Sequence, residues 1–200
     1  MLLPLLMAAI PATLIGWMLG GRLVSLGQLR FRSFWMIVVG LAAQVVVIRS
    51  VGRDWGWEAQ LHPALIFGAY LLILAGLWRN RQIPGMLLVF LGFTFNFVTI
   101  AANGGAMPVT YKVLQDSGQA YLVNGPQSGQ YVSRSKDILL TRDEARLWPL
   151  TDVLITPPPV RRAISVGDLM TLAGIGLVWV GAMRRQEEPA AVPEEAPLAA

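Results

Sequence analysis

Two hundred residues would ordinarily hold one or two soluble domains, but 54% of them are hydrophobic, 14% are charged and the mean hydropathy is +0.54. A globular chain carries about 25% charge, so a disordered chain, a coiled coil and a soluble enzyme with an ordinary charged surface are excluded. The absence of cysteine excludes a disulfide framework, a zinc–thiolate site, an iron–sulfur cluster and a thiol nucleophile. The single histidine, His62, excludes internal bis-histidine haem ligation and argues against a histidine metal cluster. A formal charge of +4, with fourteen scattered arginines and two lysines, is too modest for a nucleic-acid binder.

A helix needs about 20 apolar residues to cross a hydrocarbon core of about 30 Å. Five stretches meet that requirement, at about residues 2–21, 34–51, 61–78, 83–102 and 166–183. The expected fold is therefore all-α, a bundle of about five transmembrane helices. The first stretch differs from a signal peptide, because no basic residue precedes it and Arg22 follows it. Pro4 and Pro11 would kink this span without abolishing it.

Short-loop charges set the expected orientation. Arg22, Arg30, Arg32, Arg79, Arg81, Arg184 and Arg185 fall on one side, whereas Arg49 and Arg53 on the other are offset by Asp54 and Glu58. The arginine-rich side is expected to be cytoplasmic, with the N-terminus outside and the C-terminus inside. Trp17, Trp35, Trp55, Trp57, Trp78 and Trp179 lie towards span ends, as interfacial anchors do. The tail over 186–200, with four glutamates and three prolines, reads as disordered and cytoplasmic.

Residues 103–165 form a long exterior segment, expected to pack back onto the bundle as a lid carrying short helices. Its seven basic and five acidic residues make it neither an anionic nor a strongly cationic platform. It looks too small and too broken for a core of its own. A short helix is expected at Tyr111–Gln115, with Tyr111 and Leu114 turned inward. Thr141-Arg-Asp-Glu144 has a capping-box pattern that predicts one or two helical turns through Leu147. Trp148-Pro149 should stop that helix, and Val153–Ile155 reads as extended.

Asn96, Thr99 and Asn103 share one face of the fourth span. Unpaired amides are costly in hydrocarbon, so this face should point inward. They serve either as interhelical hydrogen-bonding groups or as ligand-facing ones, and Asn103-Gly104-Gly105 is also a ready helix C-cap. Ser165-Val-Gly-Asp168 opens the fifth span. Asp168 is either a capping carboxylate in the helix dipole, or a membrane-edge acid paired with Arg161, Arg162 or the amides of Asn96 and Asn103, suited to proton or cation handling. His62-Pro63 starts the third span as a solvated polar residue or as an axial ligand for a chlorin or haem brought by another subunit. Gln44 is a buried mid-span amide. Gly16-x-x-x-Gly20 matches a weak helix-packing pattern. Gly174-Ile-Gly176 fails as a dinucleotide fingerprint, because Trp179 stands where the third glycine belongs.

The run Phe95-Asn96-Phe-Val-Thr-Ile-Ala-Ala-Asn103-Gly-Gly-Ala-Met107-Pro108 resembles a family of bacterial integral membrane proteins known as a domain of unknown function. So do Leu147-Trp-Pro-Leu-Thr-Asp152 and Ser165-Val-Gly-Asp168. The resemblance covers residues 1 to about 184 and implies several apolar spans in the bacterial cytoplasmic membrane, with no activity attached. Thr151 stands where the family pattern has glycine. Topology then gathers Asn96, Asn103, Met107, Asp152, Ser165 and Asp168 at the exterior ends of spans four and five, where they could form one polar pocket.

Two functions fit these features. One is a non-catalytic accessory or scaffold subunit of a larger membrane complex, such as an energy-converting assembly. The other is a small transporter or membrane enzyme using the outer pocket. The expected partners are the lipid bilayer and other membrane subunits, not nucleic acid, and no cofactor is specified.

Overall fold

The apolar stretches fold into long helices with polar turns between them. The computed structural model describes residues 2–50 and 58–184, with side chains from 9–49 and 63–184. Its helices are α1 (Leu2–Met18), α2 (Phe34–Ser50), α3 (Glu58–Arg79), α4 (Met86–Ala102), the short α5 (Tyr111–Asp116) and α6 (Val166–Met183). Between α4 and α6 run β1 (Met107–Val109), β2 (Asp137–Leu139), β3 (Leu154–Ile155) and β4 (Ala163–Ile164). Trp55, Trp57, Arg53, Asp54, Arg185, the acidic tail, and the side chains of Pro4, Glu58 and His62 lie outside the described residues.

The chain is mostly helical. Among the described residues, one helix, Val166–Met183, is long and apolar enough to cross a membrane. Ala9–Met18, Phe34–Arg49, Pro63–Arg79 and Met86–Ala102 are shorter apolar helices. The fourth stretch is shorter than expected because Ile83-Pro84-Gly85 forms a turn. Ile83 N–H donates to the Asn80 carbonyl at 2.9 Å, Met86 N–H donates to Ile83 at 3.0 Å, and Gly85 takes φ +86°. The remaining 17 residues of α4 span about 25 Å.

The long helices pack in the order α1, α6, α4, α3, α2. Close approach depends on glycine. A Cβ at Gly92 would meet Gly167 and Thr171, and one at Gly174 would meet Val89 and Gly85, so α4 and α6 run antiparallel at near-backbone contact. Gly40 lies against Ala69 and Ile73, and Gly76 against Ile37, which sets α2 antiparallel to α3. Gly16 and Gly21 lie against Met183, while Gly20 faces open space, so the first helix uses a different glycine pair from the one its sequence pattern suggests. Trp179 Nε1 donates to Thr13 Oγ1 at 3.0 Å in the same α1–α6 contact.

Buried residues Ile73, Leu77, Ile83, Met86, Val89 and Val178 form the core at one end of the bundle. Val47, Ile66, Tyr70, Ile100 and Met107 form it towards the other. An asparagine closes each end. Asn80 accepts from Arg32 N–H at 2.7 Å and donates to the Arg32 carbonyl at 2.8 Å, tying down the loop after α1. Asn103 does the same to Arg146, accepting at 2.9 Å and donating at 2.9 Å, which ties the 103–165 segment to the end of α4.

That segment contains strands as well as short helices. β1 pairs in parallel with β2, and β3 pairs antiparallel with β4. It also has an apolar cluster of its own, Val109, Leu114, Val132 and Leu139, with Tyr111 packed against it. The broken, coreless lid expected from its glycines is corrected: residues far apart in the chain meet to build this cluster. The short helix at Tyr111 forms with Leu114 buried. The expected helix through Leu147 does not form. Thr141 N–H and Oγ both donate to Glu144 at 2.9 Å, but the chain makes only a turn before Leu147 takes φ +55°. Trp148–Leu150 then forms a single 3₁₀ turn.

Candidate functional site

The site lies where the start of α6, the last turns of α4 and the lid meet. Ser165 caps α6, its Oγ accepting from Asp168 N–H at 3.0 Å, while Ser165 N–H donates to Asp168 Oδ2 at 3.1 Å. The two form a capping box. Asn96 extends it across the helix interface, donating through Nδ2 to Asp168 Oδ1 at 2.7 Å and accepting from Ser165 Oγ at 2.7 Å. Gly167 is needed because Asn96 occupies the space a Cβ would take. Both oxygens of Asp168 are thus used by Asn96 and Ser165, while Arg161 and Arg162 lie exposed.

A second layer sits beside this network, and of its three residues sequence reasoning singled out only Asp152. Lys136, just before β2, is partly exposed as a residue, yet its Nζ is enclosed and has no hydrogen-bond partner. The same holds for Oδ1 of Asp137 and Oδ1 of Asp152. Asp152 is 4% exposed and held by its backbone, its N–H donating to the Pro108 carbonyl at 3.1 Å. Burial opposes charge on Lys136, but Asp152, Tyr70, Asp168 and Asp137 lie close enough to raise the ammonium above its ordinary value. Burial pushes the Asp152 carboxyl well above the usual carboxylate range, against the pull of Lys136, and Asp137 and Asp168 add to the rise. Asp137 is raised for the same first reason, with Lys136 and the hydroxyl of Ser135 opposing.

Of the residues singled out by sequence, Asn96, Ser165 and Asp168 come together, and Asp152 lies in electrostatic reach of them. Asn103 does not join. Its amide is spent on Arg146 and on the Thr99 carbonyl at 2.8 Å. Met107 is fully buried in the apolar core and offers no polar surface. Gln44 keeps a buried Nε2 without a partner on α2. Lys136 and Asp137 did leave a signal, since Lys136 is one of only two lysines and the pair opens an apolar run, Ile138-Leu-Leu. Among the described residues, no three acidic or histidine side chains are grouped to hold a metal ion. Free donors on Lys136 and free acceptors on two acids suit a proton or a small cationic or polar solute.

A family described as a family of unknown function (DUF5317) matches residues 28–180. An uncharacterized protein of Thermotoga maritima is 30% identical over 143 residues, covering 70% of this chain and 74% of its own. No solved structure matches. The matched range contains the Asn96–Ser165–Asp168 network and the Lys136, Asp137 and Asp152 layer beside it, and by that match the chain belongs to this family of unknown function.

Proposed function

We propose that this chain is a five-span integral membrane protein of the bacterial cytoplasmic membrane that takes up a small cation in the polar site under its lid. The membrane part is supported by an inverted surface. Large apolar side chains on the long helices face outward, among them Trp17, Trp35, Val46, Leu71, Leu87 and Leu177, while Asn80, Asn96, Thr99 and Ser165 are buried. The orientation is supported by Arg22, Arg32 and Arg81 at the bundle end opposite the lid, since the positive-inside rule would put that end in the cytoplasm and the lid outside.

The uptake reading is carried by one observation: Lys136 Nζ and Oδ1 of Asp137 and Asp152 are each buried without a hydrogen-bond partner. Buried polar atoms are ordinarily paired, and each exception calls for an explanation such as a bound ion or a catalytic role. Proteoliposomes of the full chain should take up radioactive sodium or rubidium faster than empty vesicles, and Asp152→Asn should abolish the excess. Uptake no faster than empty vesicles, or unaffected by the substitution, would overturn the reading.

A second reading, an accessory subunit of a larger complex, is favoured by the two outermost helices. Trp17 and Met18 of α1 are 62% and 86% exposed, and Trp35 of α2 is 61% exposed. Native mass after gentle extraction separates the two readings. Co-migration with different subunits favours the accessory role, and pigment absorbance would bring His62 forward as an axial ligand.

A further inference from the structure

Resting on the membrane reading but not on cation uptake, we propose that the arginine belt at the bundle end opposite the lid binds the headgroups of anionic phospholipids. The fold builds the belt. After α1 the chain crosses this end: Arg22 N–H donates to the Met183 carbonyl at the foot of α6 at 2.8 Å, and Asn80 at the end of α3 holds the backbone of Arg32. Between these ties Leu29 and Phe31 turn in against the core around Ile83 and Met86, so Arg30 and Arg32, alternating with them, lie exposed. Pro84 of the α3–α4 turn is 3.2 Å from where a Cβ on Gly181 would stand, which sets that turn against the last turn of α6. Arg22, Arg30, Arg32, Arg79, Arg81 and Arg184 therefore share one end, and all six are exposed.

Little at this end offsets their charge. No aspartate or glutamate occurs in residues 9–49, 63–115 or 169–184, and among the described residues no arginine is in an ion pair. With Arg185 the seven arginines outnumber the four glutamates of residues 186–200. The neighbouring surface is apolar. Val24, in the 3₁₀ turn Leu23–Gln28 that follows Arg22, is 72% exposed, and Met18 and Trp35 flank the same crossing segment with their side chains outward. Arg81 shows how the two surfaces combine. Its guanidinium lies 4.7 Å over the Trp78 ring and Nη1 donates to the Trp78 carbonyl at 3.1 Å, which fixes a cation beside an exposed aromatic. Guanidinium forks match phosphate oxygens, and the apolar side chains beside them match acyl chains. A free phosphate would use only the first half of this surface. A phospholipid uses both, and a basic cluster at the cytoplasmic side is where anionic headgroups are recognised.

Native mass spectrometry of the full chain in detergent, titrated with phosphatidylglycerol or phosphatidylcholine, tests this. Phosphatidylglycerol should bind the more tightly. Arg30→Gln combined with Arg32→Gln should weaken it about 25-fold, at about fivefold for each arginine near the surface, and leave phosphatidylcholine unchanged. The fold should survive, because Asn80 holds Arg32 through its backbone. Arg30→Lys with Arg32→Lys keeps both charges and should retain most of the binding. Arg134→Gln with Arg161→Gln removes two exposed arginines from the lid and should change nothing. Equal affinity for the two lipids, or an equal loss in the lid pair, would overturn the proposal. So would displacement of the lipid by millimolar inorganic phosphate, which would make this a free-phosphate site. Extraction from alkali-washed membranes checks the membrane reading separately. A chain released without detergent sinks that reading, whereas a chain retained there without a lipid preference sinks this inference alone.

Discussion

Asp152 carries more weight than its sequence context suggests, because it is a buried acid whose nearest compensating cation lies elsewhere in the chain. Its carboxyl is raised in the folded protein, first by burial and then by Asp137 and Asp168, with Lys136 opposing. The linkage has a definite sign. A carboxyl that binds its proton more tightly when folded adds stability below its unfolded value of about 3.9, and that stability is lost as pH rises through the folded value. Wild type should therefore lose thermal stability across a window that opens at the ordinary carboxylate range and runs upward from it, and Asp152→Asn should flatten that slope and gain stability at alkaline pH. Melting curves of both proteins across pH would check it. An unchanged slope in Asp152→Asn would mean the acid is solvated in solution and that Lys136 does not depend on it.

At the level of elements, the contact that positions the site is the glycine seam between α4 and α6. Gly167 and Gly92 bring the two helices close enough for Asn96 to reach both Ser165 and Asp168. Gly167→Ala should push α6 away from Asn96 and cost about 1–3 kcal/mol, as overpacking does. Gly176→Ala faces open space on the same helix and should be neutral or gain up to about 1 kcal/mol from helix propensity. Thermal unfolding of both variants decides between them. Equal effects would remove the seam from the account. The long helices were legible because each is a largely apolar run of 17 residues or more followed by arginine or glycine. The capping box at Ser165 and the inward face of Asn96 and Thr99 were legible from spacing alone. The lid sheets were not, since β1 pairs with β2 across about thirty intervening residues and two- or three-residue strands carry no period-2 signal. Lys136 and Asp137 stayed hidden for the same reason: what buries them is a pairing that local pattern does not encode.

For the whole molecule, the architecture puts charge at two opposed ends of an apolar bundle, and this makes its orientation testable. The helix order brings the loop after α1, the α3–α4 turn and the end of α6 to one end, through Arg22 N–H to the Met183 carbonyl and Asn80 to Arg32. The lid closes the other end through Asn103 and Arg146. Because the chain has no cysteine, single-cysteine variants report without a background. Ser133 on the lid and Gln82 in the α3–α4 turn are both exposed, so neither substitution disturbs a packed contact. In intact spheroplasts an impermeant maleimide should label Ser133→Cys at once, and Gln82→Cys only after the membrane is permeabilised. Labelling of both without permeabilisation would mean that the bundle does not span a bilayer and that its outward apolar faces meet protein instead. The reverse pattern would keep the membrane reading but turn the lid inward, so that the site beneath it faces the cytoplasm.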